Sequence, residues 1–150
     1  MIKEKYTLTA TPKWLGYALQ SLVFMSGQQK EHCASNEIAE NVCSEATLTR
    51  RVLSRLVKAG IVDAREGRDG GYALSRKPED ISFADVYRAI QMVEPLYTGL
   101  LDTTKDGPFA QETRAMFTDV INESERQLIQ VLERYTIADL ILKINQENND

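Results

Sequence analysis

Cysteine and histidine are nearly missing from this chain: its 150 residues include two cysteines, Cys33 and Cys43, and one histidine, His32. Two cysteines are too few for a disulfide framework, lack the doublet spacing of a zinc site, and suit a reducing cytoplasm. One histidine, with no phosphate-binding glycine loop and no paired carboxylates at helical spacing in an apolar setting, argues against an enzyme. No catalytic residue and no metal ligand is therefore assigned. No apolar run approaches the ~18 residues of a membrane span, and the opening MIKEKYTLTATPKW lacks the apolar centre and cleavage site of a secretory signal. Internal repeats and low-complexity segments are also absent. A soluble, cytoplasmic protein is expected. With 43% hydrophobic residues, it forms one ordinary domain or a compact domain with an added oligomerisation element.

The net charge of −4 conceals an asymmetry. Residues 1–76 hold 11 Lys and Arg against 8 Asp and Glu, whereas residues 77–150 hold 7 against 14. Within residues 50–76 seven basic side chains face three acidic ones, a cationic patch on an acidic protein. Such a patch suits a polyanion.

The stretch TPKWLGYALQSLVFMS offers Thr11 as N-cap and Pro12 at the first helical position, with Leu15, Ala18, Leu19, Leu22 and Met25 at helical spacing. In ASNEIAENV, Ser35 is the expected cap of a short helix that turns Ile38 and Ala39 inward, and CSE then breaks the chain. The next run, EATLTRRVLSRLVKAG, stops at Gly60. At about 100° per residue, Leu48, Val52, Leu53 and Leu56 share one face and Thr47, Arg50, Arg51 and Ser54 the opposite one. Short helix, turn and basic helix make a helix-turn-helix.

IVDARE and YALS flank GRDGG as a β-hairpin whose loop uses glycine where positive φ is needed, so this hairpin reads as a wing. Ser82 and Asp85 form a capping box for FADVYRAIQ, whose Phe83, Val86 and Ile90 are expected to pack back on the other helices. The fold class is mainly α with a small β-hairpin: a winged helix-turn-helix over 1–92, a loop over 93–108, and dimerisation helices over 109–150. In the long helix starting near Phe109, Phe117, Ile121, Ser124, Leu128, Val131 and Tyr135 follow the spacing of a coiled-coil seam. Val120, Leu132, Ile137, Leu140 and Ile141 are expected to widen it. Thr136 and Asp139 form a second capping box before a polar tail, NQENND, expected to fray.

A basic helix face is by itself commonly just solvated. Here a helix-turn-helix, a basic outward face and a basic glycine-rich hairpin follow one another in that order, which favours DNA. Arginine can bind guanine O6 and N7 together and threonine can meet a thymine methyl, so Thr47, Arg50, Arg51 and Ser54 are placed in the major groove. Arg68 at the wing tip suits the minor groove, with Arg65 nearer the phosphates. Ser35 and Gly70 complete the expected DNA-binding set. Trp14, Tyr17, Phe83 and Tyr87 could line a small-molecule pocket, but aromatics at these spacings are more often core. Cys33 is read as structural, and Cys43 as a small buried hydrophobe.

The segments YALQSLVFMS, SNEIAENV, LSRLVKAGIV, REGRDGGYALSRKPEDISFADVYRAI and TIADLI resemble, in order and over nearly the whole chain, the Rrf-two (BadM-type) winged-helix regulators of bacteria. The wing's Gly-Gly-Tyr-x-Leu followed by the proline and ISFADVYRAI is the most specific part. The resemblance implies a homodimeric transcription factor, usually a repressor, whose long helix pairs with its twin. It also implies that residues 46–59 enter the major groove and the wing over 67–71 the minor groove. Family members that bind an iron–sulfur cluster carry three cysteines in the loop before the long helix. The corresponding EPLYTGLLDTTKDGPFAQ has none, and Asp102, Asp106 and Glu112 are hard oxygen donors unsuited to that chemistry. No cofactor is therefore expected. The expected partners are double-stranded operator DNA, a second copy of the chain, and an effector, small molecule or protein, that the sequence leaves open. Two rival readings remain: a winged helix that meets an acidic protein surface, and a thiol-based redox regulator acting through Cys33 or Cys43.

Overall fold

The computed structural model describes residues 10–92 and 95–150. The amino-terminal stretch read against a secretory signal, apart from its last residues, and the first two residues of the 93–108 connection lie outside the described residues. Helix α1 (Pro12–Ser26) begins after Thr11 in extended backbone, with Pro12 in the first turn where a missing N–H costs nothing. Thr11 makes no side-chain capping bond. The inward face of α1 carries Trp14, Ala18, Leu22 and Met25, while Leu15 and Leu19 pack at the rim of the core. Ser21 is buried among them with its hydroxyl donating to the Tyr17 carbonyl at 2.7 Å.

Helix α2 (Ser35–Asn41) turns Ile38 and Ala39 inward as expected. Ser35 is not its cap: the N-cap is Ala34, and Ser35 is the first helical residue with no side-chain capping bond. The break after α2 is made by Cys43 in the left-handed region, φ 56°. That backbone turns the Cys43 side chain outward, so it is exposed rather than the buried hydrophobe expected.

Helix α3 (Ala46–Lys58) buries Val52, Leu53 and Leu56 completely. Removing a Val or Leu side chain from water contributes about 1.5–3 kcal/mol, so this stripe fixes the helix's rotation. Gly60, at φ 74°, ends it: Ile61 N–H donates to the Leu56 carbonyl and Gly60 N–H to that of Val57. Strands β1 (Val62–Arg65) and β2 (Gly71–Leu74) then pair antiparallel, from Val62 opposite Leu74 to Arg65 opposite Gly71.

After a short 3-10 turn (Pro78–Asp80), helix α4 (Phe83–Ile90) starts on the expected capping box, Ser82 and Asp85 exchanging two 3.0 Å bonds. Val86 and Ile90 are fully buried, and Phe83 is half-buried against Tyr135 with ring centroids 5.8 Å apart. The 93–108 connection, read as a loop, contains helix α5 (Pro95–Asp102). Helix α6 (Ala110–Leu132) follows, and α7 (Ile137–Asn148) opens on the Thr136–Asp139 capping box. The polar tail expected to fray is helical through Asn148.

One apolar core joins α1, α2, α3, the hairpin, α4 and the start of α7. Ile137 is fully buried in it and Ile141 packs against it, so Ile137 is a core residue of the winged unit rather than part of a dimer surface. Among the described residues no helix is long and apolar enough to cross a membrane.

Candidate nucleic-acid interface

The rotation of α3 that buries Val52, Leu53 and Leu56 leaves Thr47, Arg50, Arg51 and Ser54 exposed together on the far side. Thr49, between them, points inward and is buried with its hydroxyl unpaired among the described residues. Neither Arg50 nor Arg51 has an ion-pair or hydrogen-bond partner among the described residues, whereas the helix's third arginine is held by neutral groups. Arg55 turns back to donate to the Ile90 carbonyl at 2.8 Å and lies over the Trp14 ring, 5.5 Å from its centroid. The face is therefore two free guanidinium forks and two hydroxyls, a donor set matched to base edges and phosphates.

The wing is built by close approach of backbones. A Cβ on Gly70 would lie 2.2 Å from the Arg65 carbonyl oxygen, and one on Gly71, at φ 139°, would lie 2.3 Å from that of Cys33. The second contact is a two-bond bridge, Cys33 N–H to the Tyr72 carbonyl and Tyr72 N–H to the Cys33 carbonyl, both 2.8 Å. It ties β2 to the segment that leads into α2, so wing and helix-turn-helix are one framework. Arg68 is exposed in the loop between the strands, free of ion pairs among the described residues. Arg65 is exposed too, its guanidinium 3.7 Å from Glu31. Gly70 is half-buried in the hairpin loop, and Ser35 is half-buried at the start of α2. The eight residues thus divide among three elements: α3 carries four, the hairpin three and α2 one.

His32, given no role in the sequence reading, lies beside this bridge. Its side chain is only 5% exposed, with Nε2 3.5 Å from Asp63 Oδ2 on β1, and neither ring nitrogen has a hydrogen-bond partner among the described residues. The neighbouring Cys33 is 2% exposed; burial, then the carboxylate of Glu37, pushes its thiol pKa up, against a smaller opposing effect of Lys30. A buried, protonated thiol is a poor nucleophile. The redox alternative is left with Cys43, exposed in the turn. Of the four aromatics considered for a pocket, Trp14 and Tyr87 are buried and Tyr17 and Phe83 half-buried.

The long helix divides its apolar residues between two sides. Ile121 is 8% exposed within the protomer, and Phe117, Leu128 and Leu132 are half-buried. Met116, Val120 and Val131 are 68%, 52% and 42% exposed, and at about 100° per residue they fall within one arc of the helix; Tyr135, expected to continue the seam, lies beyond the end of α6, 49% exposed. The expected seam is thus split: its inner edge faces the chain itself and its outer edge faces outward.

The family model described as an iron-dependent transcriptional regulator, Rrf2 (Rrf-two), matches residues 13–143. The chain is 27% identical over 131 residues to the HTH-type transcriptional regulator NsrR of Shouchella clausii, covering 84% of each protein. Among solved structures it is similar to a candidate transcriptional regulator from Lactobacillus plantarum (TM-score 0.73, 23% identity, 88% of this chain and 89% of that one). It is also similar to IscR of T. potens (TM-score 0.62, 23% identity, 91% and 88%). At these identities the solved structures show the fold alone.

The iron in that description can be tested against the donors present. The connection before α6 contains no cysteine. Arg114 crosses it instead, donating to the Thr104 hydroxyl at 3.2 Å and the Leu101 carbonyl at 3.3 Å, with Thr104 itself 5% exposed. Among the described residues no three His, Cys, Asp or Glu side chains converge to hold a metal. A guanidinium among hydroxyl and carbonyl oxygens does not fit an iron–sulfur cluster, which takes thiolates.

Proposed function

The chain belongs to the Rrf2 family of DNA-binding transcriptional regulators, not of enzymes, and we propose that it is a homodimeric repressor that reads its operator with α3 and the wing. The observation that carries this is the exposed α3 face, where Arg50 and Arg51 stand between Thr47 and Ser54 with no ion pair among the described residues. Their guanidinium forks suit guanine edges, and Arg68 on the hairpin suits the narrow, electronegative minor groove. Arg65 and Ser35 supply backbone contacts at the margins, and Gly70 lets the wing close.

A single winged helix reads few base pairs, so the outward apolar arc of α6 serves to pair two copies with recognition helices about 34–36 Å apart on one face of DNA. Phe117, Val120, Ile121, Leu128, Val131 and Leu132 form the broader surface, with Val120 and Val131 at its exposed centre and Tyr135, just past the helix end, at its margin. Residues 1–92 with the start of α7 then act as the reading unit, and α6 as the coupling element. The deciding experiment is a mobility shift with the DNA upstream of the protein's own gene and with random duplex at one salt concentration. Specific binding at least about 10³-fold tighter than random is expected. Equal affinity for both would favour the protein-interaction reading.

A further inference from the structure

Behind the DNA-facing side, the end of α3 and the outer face of α4 enclose an open recess of about 500 Å³ lined by Arg55, Lys58, Arg76, Asp85, Arg88 and Gln91. Four cations and one carboxylate meet there on a protein whose net charge is −4. The carboxylate is heavily shared: Asp85 closes the capping box with Ser82 and lies 3.7 Å from Arg76 and 3.9 Å from Arg88. Lys58 has no ion-pair partner among the described residues. Two of the arginines have a structural task, Arg76 donating to the Ala59 carbonyl at 3.3 Å and Arg55 to that of Ile90 at 2.8 Å. Those bonds explain two of the cations and leave each guanidinium with donors to spare, since it carries five N–H groups. They do not explain Lys58, while Arg88 is shared between Asp85 and Glu133, the latter at 3.0 Å, with further N–H donors to spare.

We propose that this recess binds a small oxyanion carrying two or more negative charges, with Arg76 and Arg88 as planar forks and Lys58 as a point charge. The volume suits a small metabolite-sized ligand, and planar guanidinium groups favour carboxylate or phosphate oxygens. The site goes beyond DNA binding and does not rest on it. Because Arg55 lies over Trp14, the only tryptophan of the chain, occupancy has an intrinsic optical reporter. DNA backbone phosphate is the other source of the same chemistry, because Lys58 stands on the recognition helix.

The test is a calorimetric titration of DNA-free protein with inorganic pyrophosphate and, separately, with citrate, at constant ionic strength, with Trp14 emission followed in parallel. Saturable binding of one anion per chain, with a Kd of about 1 mM or tighter for at least one probe, and an emission change with the same midpoint are expected. Lys58→Gln alone and Lys58→Gln with Arg88→Gln should weaken it, the pair by at least about tenfold. Arg126→Gln, on α6, should leave it unchanged. No saturation with either probe, saturation that the variants do not weaken, or saturation without an emission change overturns the proposal. So does a pair of variants that only lowers the salt slope of operator binding, by about one per charge removed, since that assigns the cations to DNA.

Discussion

Ser82 and Thr136 lie opposite each other in a two-bond bridge: Phe83 N–H donates to the Tyr135 carbonyl at 2.8 Å and Ile137 N–H to the Ile81 carbonyl at 2.9 Å. Each is also the N-cap of its helix, with a complete capping box. The starts of α4 and α7 are thereby locked side by side, which is what delivers Ile137 into the core of the winged unit. Thr136→Ala removes one hydroxyl acceptor from this joint and should cost about 1 kcal/mol, within the 0.5–2 kcal/mol typical of N-caps. In urea titrations the midpoint should fall with the slope unchanged.

How much of this could be read from the sequence follows from which interactions are local. Both capping boxes were legible, because donor and acceptor lie three residues apart. The rotation of α3 was legible too, since Val52, Leu53 and Leu56 impose it through the helical period. What could not be read depends on distant partners. The pairing of Ile137 with Ile81, the bridge between Cys33 and Tyr72, and the buried position of His32 leave no periodic trace. Cys43 was misplaced because its exposure comes from a left-handed backbone at a non-glycine residue, for which the sequence carries no signal. The α5 helix was missed because PLYTGLLD sits among the turn formers Pro, Gly, Thr and Asp.

On α3, replacing Arg51 or Arg50 by alanine should lower specific operator affinity by ~1–3 kcal/mol while leaving the melting temperature nearly unchanged, because each is exposed and unpaired. Binding titrations on operator and random duplex separate the two roles. A loss confined to operator DNA marks a base contact, whereas an equal loss on both marks a phosphate contact.

The wing should fail at Gly71 before it fails at its arginines. Gly71→Ala places a Cβ 2.3 Å from the Cys33 carbonyl oxygen at a backbone angle that L side chains rarely adopt. The Cys33–Tyr72 bridge must then open. Hydrogen exchange at the Cys33 and Tyr72 amides should accelerate strongly, and operator affinity should drop together with it. Unchanged protection of both amides would show that the bridge does not hold the wing.

The two cysteines should differ sharply in reactivity. Cys43 is exposed, whereas Cys33 is buried with its pKa pushed up, so it stays a protonated thiol as pH rises past the ordinary cysteine value. Ellman titration of native protein at neutral pH should release about one equivalent quickly, with the second appearing only on unfolding. Mass spectrometry should place the fast label on Cys43, and Cys43→Ser should abolish any effect of oxidants on DNA binding.

Assembly is decided by which edge of α6 is altered. Ile121 is only 8% exposed in the protomer, so an aspartate there buries an unpaired carboxylate whatever the oligomeric state and damages the fold itself. Val120 and Val131 are 52% and 42% exposed. Aspartate at either is harmless to an isolated protomer and costly only if a second copy covers it. Val120→Asp with Val131→Asp should therefore give a monomer with an unchanged circular dichroism spectrum, and operator binding should weaken because the two half-sites are no longer engaged as a unit. Sedimentation of the parent protein supplies the reference. A dimer at micromolar concentration that the double variant dissociates places the interface on the outer arc of α6, while a parent protein that is already monomeric there removes the basis for pairing through this helix.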